Sequence, residues 1–521
     1  DRCFPRLGLQ KAIKPRQIKS TEAILMELSA ATLLLSLLSL AILVGFFRRK
    51  STPSRRAPGP RCLPVIGSLH HLLTPQPQVA LRDLAKKHGP VMYLRLGQID
   101  ALVVSSPAAA KEVLRDKDLK FASRPSILVS EVMGYGQRDV VFAPYGAYWR
   151  TLRKICTVEL LSERKVRQFA PVRDSETMSL VRNVREAGRG GKPFNLGRLL
   201  VSCSNSITGK TAFGQTCSSE LQEQFLSAID VALKLSAGLC VGDLYPSMWF
   251  VDVVTGLTGR LWRARRQLDK VLDKIISQSE IRQGDHLLSV LLRISDEGEL
   301  DFPIDMDNVK AIVMDMFTAG TETTSSISEW VMSELMRSPE VMAKAQAEVR
   351  RTFDNKSPQD HEGLVGELHY TKMVIMESMR LNPVVPLLVP HVCRETCDVG
   401  GFEVTEGTRV MVNTWALGRN PEYWHEPEEF RPERFEDGTA TYKGSRFEYL
   451  PFGSGRRNCP GDTFGLAVLE LMVARLLYYF DWSLPAGVKP GELDMEMMVA
   501  ATSKRKNQLH LVATPYKACS F

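Results

Sequence analysis

Cys459 sits in the run Pro451-Phe452-Gly453-Ser454-Gly455-Arg456-Arg457-Asn458-Cys459-Pro460-Gly461. The glycines allow tight backbone turns where a side chain would clash, and Pro460 removes an amide donor and fixes its own φ. An apolar run from Phe464 to Ala474 follows, long enough for a buried helix. The thiol therefore lies on a stiff loop just before a helix N-terminus, where free amides and the helix dipole favour a thiolate. A lone cysteine is more often an inert core residue. Phosphate cradling is excluded, because no Lys-Ser or Lys-Thr follows the glycines and no dinucleotide-type spacing is present.

A second stretch with chemical character is Ala319-Gly320-Thr321-Glu322-Thr323-Thr324-Ser325-Ser326. It interrupts a pattern from Met306 to Arg337 that predicts one long helix, begun by Asp305 or Asp307 and stopped at Ser338-Pro339. Val309, Ile312, Val313, Met316 and Phe317 recur at helical spacing. Small and hydroxylated residues in mid-helix are poor helix formers, and their hydroxyls bond back to carbonyls one turn away. Such a run suits a close helix crossing or a groove that must open. Trp149 and Arg153 share a helical face, as do Glu377 and Arg380, with Pro432-Glu433-Arg434-Phe435 downstream. Taken singly, these pairs are ordinary surface packing.

Phe452, Gly455, Arg457, Cys459 and Gly461 at their offsets resemble the haem-binding loop of the cytochrome P-450 superfamily, whose cysteine thiolate is the axial iron ligand. The other stretches fall in the family's order, so the resemblance spans residues 53–510. It implies a mainly α chain with a smaller β-rich region, the cytochrome P-450 fold, holding heme b on Cys459. It also implies that Trp149 and Arg153 hold a haem propionate, with Arg457 carrying more of that load. His391 stands where many plant members carry arginine, and is expected to donate a hydrogen bond while neutral at pH 7. Phe452 belongs to the cofactor loop. Thr323 would hold a hydrogen bond or a water beside the haem, and Glu322 would relay protons from solvent. Glu377, Arg380 and Arg434 would form a buried charge cluster behind the loop. The match of Phe121-Ala122-Ser123-Arg124-Pro125 makes 127–140 a substrate-contacting loop, with Leu387, Leu388, Val389 and 499–502 completing an apolar pocket.

The elements that must carry these groups are set by a chain of 521 residues, 44% hydrophobic, with 67 basic and 59 acidic residues and a net charge of +8. That mild bias suits an anionic membrane surface or an acidic partner, and is far from a nucleic-acid footprint. The ten cysteines show no Cys-x-x-Cys pair, and read as reduced thiols facing the cytosol. Residues 1–25 are polar and basic, and are expected to be an upstream extension before a natural start at Met26. The segment 28–47 is twenty residues without a charge, followed by Arg48-Arg49-Lys50. It is expected to be a single-pass transmembrane signal anchor that leaves the rest of the chain cytosolic, at the endoplasmic reticulum membrane. Four prolines make 51–64 a stiff hinge, and 65–521 is the catalytic domain. The runs 91–96 and 99–104 predict a hairpin. The apolar stretch 233–254, broken by Gly238, Gly242 and Pro246, is either core or a lid dipping into the membrane.

The resemblance implies a monooxygenase that draws electrons from a separate NADPH-dependent flavoprotein reductase, since no flavin or nicotinamide motif is visible. A basic face around Arg150, Lys154 and Arg456 would dock it. The apolar pocket implies a hydrocarbon-like substrate. The sequence is similar to grass oxidases of pimaradiene-type diterpenes, so a diterpene of phytoalexin-type defence metabolism leads, ahead of a sesquiterpene, indole or phenolic. A reductase-independent haem isomerase or dehydratase, or a haem-binding protein without turnover, are rivals that Glu322 and Thr323 disfavour.

Overall fold

The computed structural model describes residues 55–516 other than 215–218, 237–239, 279–283, 299–301, 443, 445 and 500–501, together with Thr32 and Ser36. The expected extension 1–25, the expected anchor 28–47 save those two residues, the first part of the hinge and Ala500 lie outside the described residues. No helix among the described residues is long and apolar enough to cross a membrane. The chain divides into units 1–52 and 53–521, and the second holds every element of the site.

This unit is mainly helical, as expected, and the long helix is its axis. Met306–Arg337 runs unbroken through 32 residues. It starts in a reciprocal cap: Asn308 N–H donates to Asp305 Oδ1 at 3.0 Å, and Asp305 N–H donates to Asn308 Oδ1 at 2.9 Å. Pro339 opens the next helix, so the axis ends at Arg337. The N-terminal half buries Val309, Ile312, Val313 and Phe317, while Met316 is only half-buried. Phe317 closes an aromatic cluster with Phe213 and Phe225, at centroid distances of 6.2 and 4.9 Å. The axis packs on Leu196–Phe213, His369–Leu381 and Asp462–Tyr479. The last of these begins just after the cysteine loop and is apolar on nearly all sides, with Leu471, Met472, Val473, Leu476 and Leu477 fully buried.

The β-rich region centres on the predicted hairpin. Val91–Leu96 pairs antiparallel with Ile99–Val104, in the register Val91↔Val104 to Leu96↔Ile99. Ile99–Val104 continues parallel to Arg409–Val412, which pairs antiparallel with His391–Val392. This sheet therefore ties the N-terminal hairpin to the strand carrying His391. The described residues of 233–254 include short helices at the surface, with Met248, Trp249, Phe250, Val253 and Val254 exposed. Of the two alternatives for this stretch, the core is excluded for those five residues, while Asp252 between them is buried. Gln98 Nε2 donates to Ser247 Oγ at 2.6 Å, placing this apolar edge beside the hairpin turn and near exposed Val65, whose carbonyl accepts from Tyr245 Oη at 3.4 Å.

Candidate functional site

The cysteine loop turns as its glycines predict. Gly455 has φ +72°, and a Cβ there would fall 1.8 Å from the Leu114 carbonyl oxygen, so the loop lies directly on neighbouring backbone. Cys459 N–H donates to the Phe452 carbonyl at 2.9 Å, and Gly461 N–H donates to Cys459 Sγ at 3.4 Å. Burial pushes the Cys459 thiol up to about 11, against the pull of that amide. A metal that binds the sulfur must therefore displace a proton. Phe452 is half-buried and meets Tyr442 edge-on at 6.3 Å.

Around the loop gather cations held mainly by backbone carbonyls. Arg457 donates to the carbonyls of Ala122, Val140, Val141 and Ala143, and its guanidinium stacks over Trp149 at 4.2 Å. Arg124, buried, donates to the carbonyls of Val389 and Pro390, and its Nε has no partner. Burial lowers both arginines to about 9, which leaves them charged at neutral pH. Among the described residues neither forms an ion pair, although Asp139 acts on Arg457 from nearby. Arg153 donates to the Asn458 backbone carbonyl at 2.7 Å and to its side-chain oxygen.

Two further residues expected at the cofactor find their hydrogen-bond partners within the protein. Trp149 donates its one indole N–H to the Val140 carbonyl at 3.0 Å, so it supports Arg457 and holds out no donor of its own. His391 Nδ1 lies 2.7 Å from the Phe121 carbonyl, which can only accept, so that nitrogen carries the hydrogen. Burial, with Arg124 adding, lowers its pKa well below the usual histidine value. In that neutral tautomer Nδ1 donates to the Phe121 carbonyl and Nε2 carries no hydrogen. Sequence reasoning missed Arg124 as a site residue. Its signal was a cation in Phe121-Ala122-Ser123-Arg124-Pro125 with no acid alongside.

On the long helix, Met316, Ala319, Gly320 and Thr323 form an accessible face at helical spacing, and most of the residues from Thr324 to Met336 are buried. Thr323 Oγ1 donates to the Ala319 carbonyl at 2.6 Å, leaving its lone pairs free. Glu322 turns elsewhere. Its carboxylate pairs with Lys504 Nζ at 2.7 Å and accepts from Thr502 Oγ1 at 3.2 Å. The two residues expected to act in sequence are thus not hydrogen-bonded to each other, and Lys504 links Glu322 to solvent.

Behind the loop the charge cluster is assembled. Arg380 Nε and Nη2 donate to the two oxygens of Glu377 at 2.7 Å each, and Arg434 Nε donates to Glu377 Oε1 at 2.9 Å. Glu377 and Arg380 are fully buried. The remaining Arg380 donors reach the carbonyls of Gly418, Pro427 and Glu429, so the guanidinium is fully used.

A half-buried thiol on a rigid loop, an accessible helix face lined by small residues, and two guanidinium groups without an ion pair fit a flat metal cofactor that carries carboxylates. The orphaned Nε of Arg124 is the sharpest sign of a missing acid. Known proteins point the same way. The "Cytochrome P450" family model matches residues 57–511. A 9-beta-pimara-7,15-diene oxidase of Oryza sativa subsp. japonica is 65% identical over 94% of this chain and 98% of its own length. A premnaspirodiene oxygenase of Hyoscyamus muticus is 45% identical over 92% of this chain and 97% of its own. A solved zebra fish cytochrome P450, titled as a structure with progesterone, superposes with a TM-score of 0.71 at 26% identity, over 84% of this chain and 99% of that one. The fold and site define a haem-thiolate oxidoreductase, and this chain belongs to the cytochrome P-450 family. It is a monooxygenase whose cofactor is haem iron with a thiolate ligand.

Proposed function

We propose that this chain oxidises a diterpene hydrocarbon of the pimaradiene type, at the endoplasmic reticulum membrane, with electrons from an NADPH-dependent flavoprotein reductase. The observation that carries the substrate class is its 65% identity to a pimaradiene oxidase along nearly the whole chain. When bound, haem supplies the redox chemistry that activates dioxygen and inserts one oxygen atom into the substrate. Cys459 would supply the thiolate to the iron, its sulfur held by the Gly461 amide. Arg457 and Arg124 would take the propionates, with Arg153 securing Asn458 beside the cysteine and Trp149 orienting Arg457. Thr323 accepts and passes a proton at Oγ1, and Glu322 takes protons from solvent past Lys504. Pro386-Leu387-Leu388-Val389-Pro390 excludes water and presents apolar surface to the substrate.

The uncharged 28–47 segment with the basic residues after it supports a single anchor and a cytosolic catalytic unit. The exposed apolar edge at 248–254 supports a second contact with lipid. Arg150, Lys154 and Arg456 are all exposed and suit an acidic reductase surface. Co-expression with a reductase, followed by feeding microsomes a terpene panel, tests the proposal. NADPH-dependent oxygenation of a pimaradiene is expected. Turnover of only sesquiterpenes, indoles or phenolics would overturn the substrate, and turnover without NADPH would overturn the electron source.

A further inference from the structure

Away from the haem site, Cys393 and Cys397 bring their sulfurs within 3.9 Å of each other. Cys393 is fully buried next to the His391–Val392 strand. Cys397 is partly exposed and opens the Cys397–Val399 strand, where it pairs with Val404. The Val404 carbonyl also lies 3.7 Å from Cys393 Sγ, so the two thiols share one edge of a hairpin. Two lysines flank the accessible sulfur. Lys117 Nζ donates to the Asp398 carbonyl at 2.7 Å, and Lys120 Nζ pairs with Glu395 at 2.8 Å. The contact with Cys393, with Lys120 and Lys117 adding, holds the Cys397 thiol below its usual range, while the same contact and burial push Cys393 up. Cys393 Sγ also donates to the Glu395 carbonyl at 3.0 Å. One sulfur is thus accessible and the more acidic, and the other is buried 3.9 Å from it.

We propose that Cys393 and Cys397 form a peroxide-responsive dithiol, in which Cys397 is oxidised first and Cys393 closes a reversible disulfide. The oxidant is a hydroperoxide, with hydrogen peroxide as the simplest case. The Cys397 thiolate attacks one peroxide oxygen, the O–O bond breaks, and hydroxide leaves, giving a sulfenic acid. The Cys393 sulfur then attacks the Cys397 sulfur, its proton joins the departing hydroxyl, and water leaves. Overall, two thiols and one hydrogen peroxide give one disulfide and two waters. The sulfurs must approach from 3.9 Å to about 2.05 Å. That movement is felt by a strand whose Val392 N–H bonds the carbonyl of Ser123, the neighbour of Arg124.

The test uses the full haem-loaded chain, treated with hydrogen peroxide without reductase, then alkylated, digested and mapped by mass. A Cys393–Cys397 linked peptide reversed by dithiothreitol is expected. Its formation should be about tenfold or more faster than oxidation of Cys62, an exposed thiol among the described residues that serves as internal reference. In Cys393→Ser, Cys397 should accumulate as a sulfenic acid trapped by dimedone. In Cys397→Ser, Cys393 should stay a free thiol. Both thiols remaining alkylatable once Cys62 is oxidised would overturn the proposal. So would a dimedone adduct on Cys393 in place of Cys397.

Discussion

The hydroxyl of Thr323 shows how little of a residue's state its identity conveys. Its place in a small-residue face was legible from the run 319–326, but its hydrogen bond to Ala319 is a product of helix geometry. Thr323→Ala removes the hydroxyl proposed to carry the proton and lies outside the cofactor loop. The carbon monoxide difference spectrum should persist while product per NADPH falls about tenfold or more, with hydrogen peroxide released instead. Unchanged coupling would remove Thr323 from the mechanism. Arg124 makes the complementary case. Its importance lies in having no acid partner, a fact about neighbours, which no local pattern states. Arg124→Met should fold, since it deletes an uncompensated buried charge, but should lose haem more readily on gel filtration than the parent chain.

At the scale of elements, the cysteine loop and its supports are held by contacts that tolerate no addition. Gly455→Ala puts a methyl 1.8 Å from the Leu114 carbonyl oxygen, so the loop must move and the thiol with it. The expected outcome is folded protein with little or no thiolate-ligated haem spectrum. Glu377→Ala strands two arginines and should cost about 3–5 kcal/mol, seen as a lower urea midpoint and a poor yield of holoenzyme. A third contact runs the other way. Asp315 on the long helix accepts from the amides of Val140 and Val141 at 2.7 and 3.2 Å, next to buried Asp139. Burial raises Asp139 to about 6, and burial followed by the Asp139 charge raises Asp315 well above the usual carboxylate value. Acids raised in the folded state hold more protons folded than unfolded, so stability falls as pH climbs from about 4 through these values. Asp315→Asn keeps an accepting oxygen and removes the charge. It should therefore raise the urea midpoint at pH 8 and change little at pH 4, and equal shifts at both would refute the account.

Across the whole molecule, the surface divides by chemistry. The exposed edge of Met248, Trp249, Phe250, Val253 and Val254 sits by the hairpin turn, while Arg150, Lys154 and Arg456 are presented elsewhere. If the edge meets lipid, brominated lipid in reconstituted vesicles should quench the full chain's tryptophan fluorescence, and Trp249→Phe should remove most of that quenching. Equal quenching in the variant would place the edge in water. Reduction by the flavoprotein should slow as ionic strength rises, because the basic face is exposed and open to screening by salt.

What the sequence alone determined was the chemistry and the axis. Gly, Pro and Cys at fixed offsets can make only a tight loop before a helix, and a capped apolar repeat of such length can make only a long helix. Both follow from local sterics and periodicity, which a chain carries in itself. The hydrogen-bond partners of Trp149, His391 and Glu322 were decided by tertiary structure. Each turns on which carbonyl, cation or hydroxyl the fold brings within 3.2 Å, and those partners come from residues up to 270 positions away. Only the assembled molecule shows that Arg457 spends its donors on four carbonyls while the Arg124 Nε finds no partner.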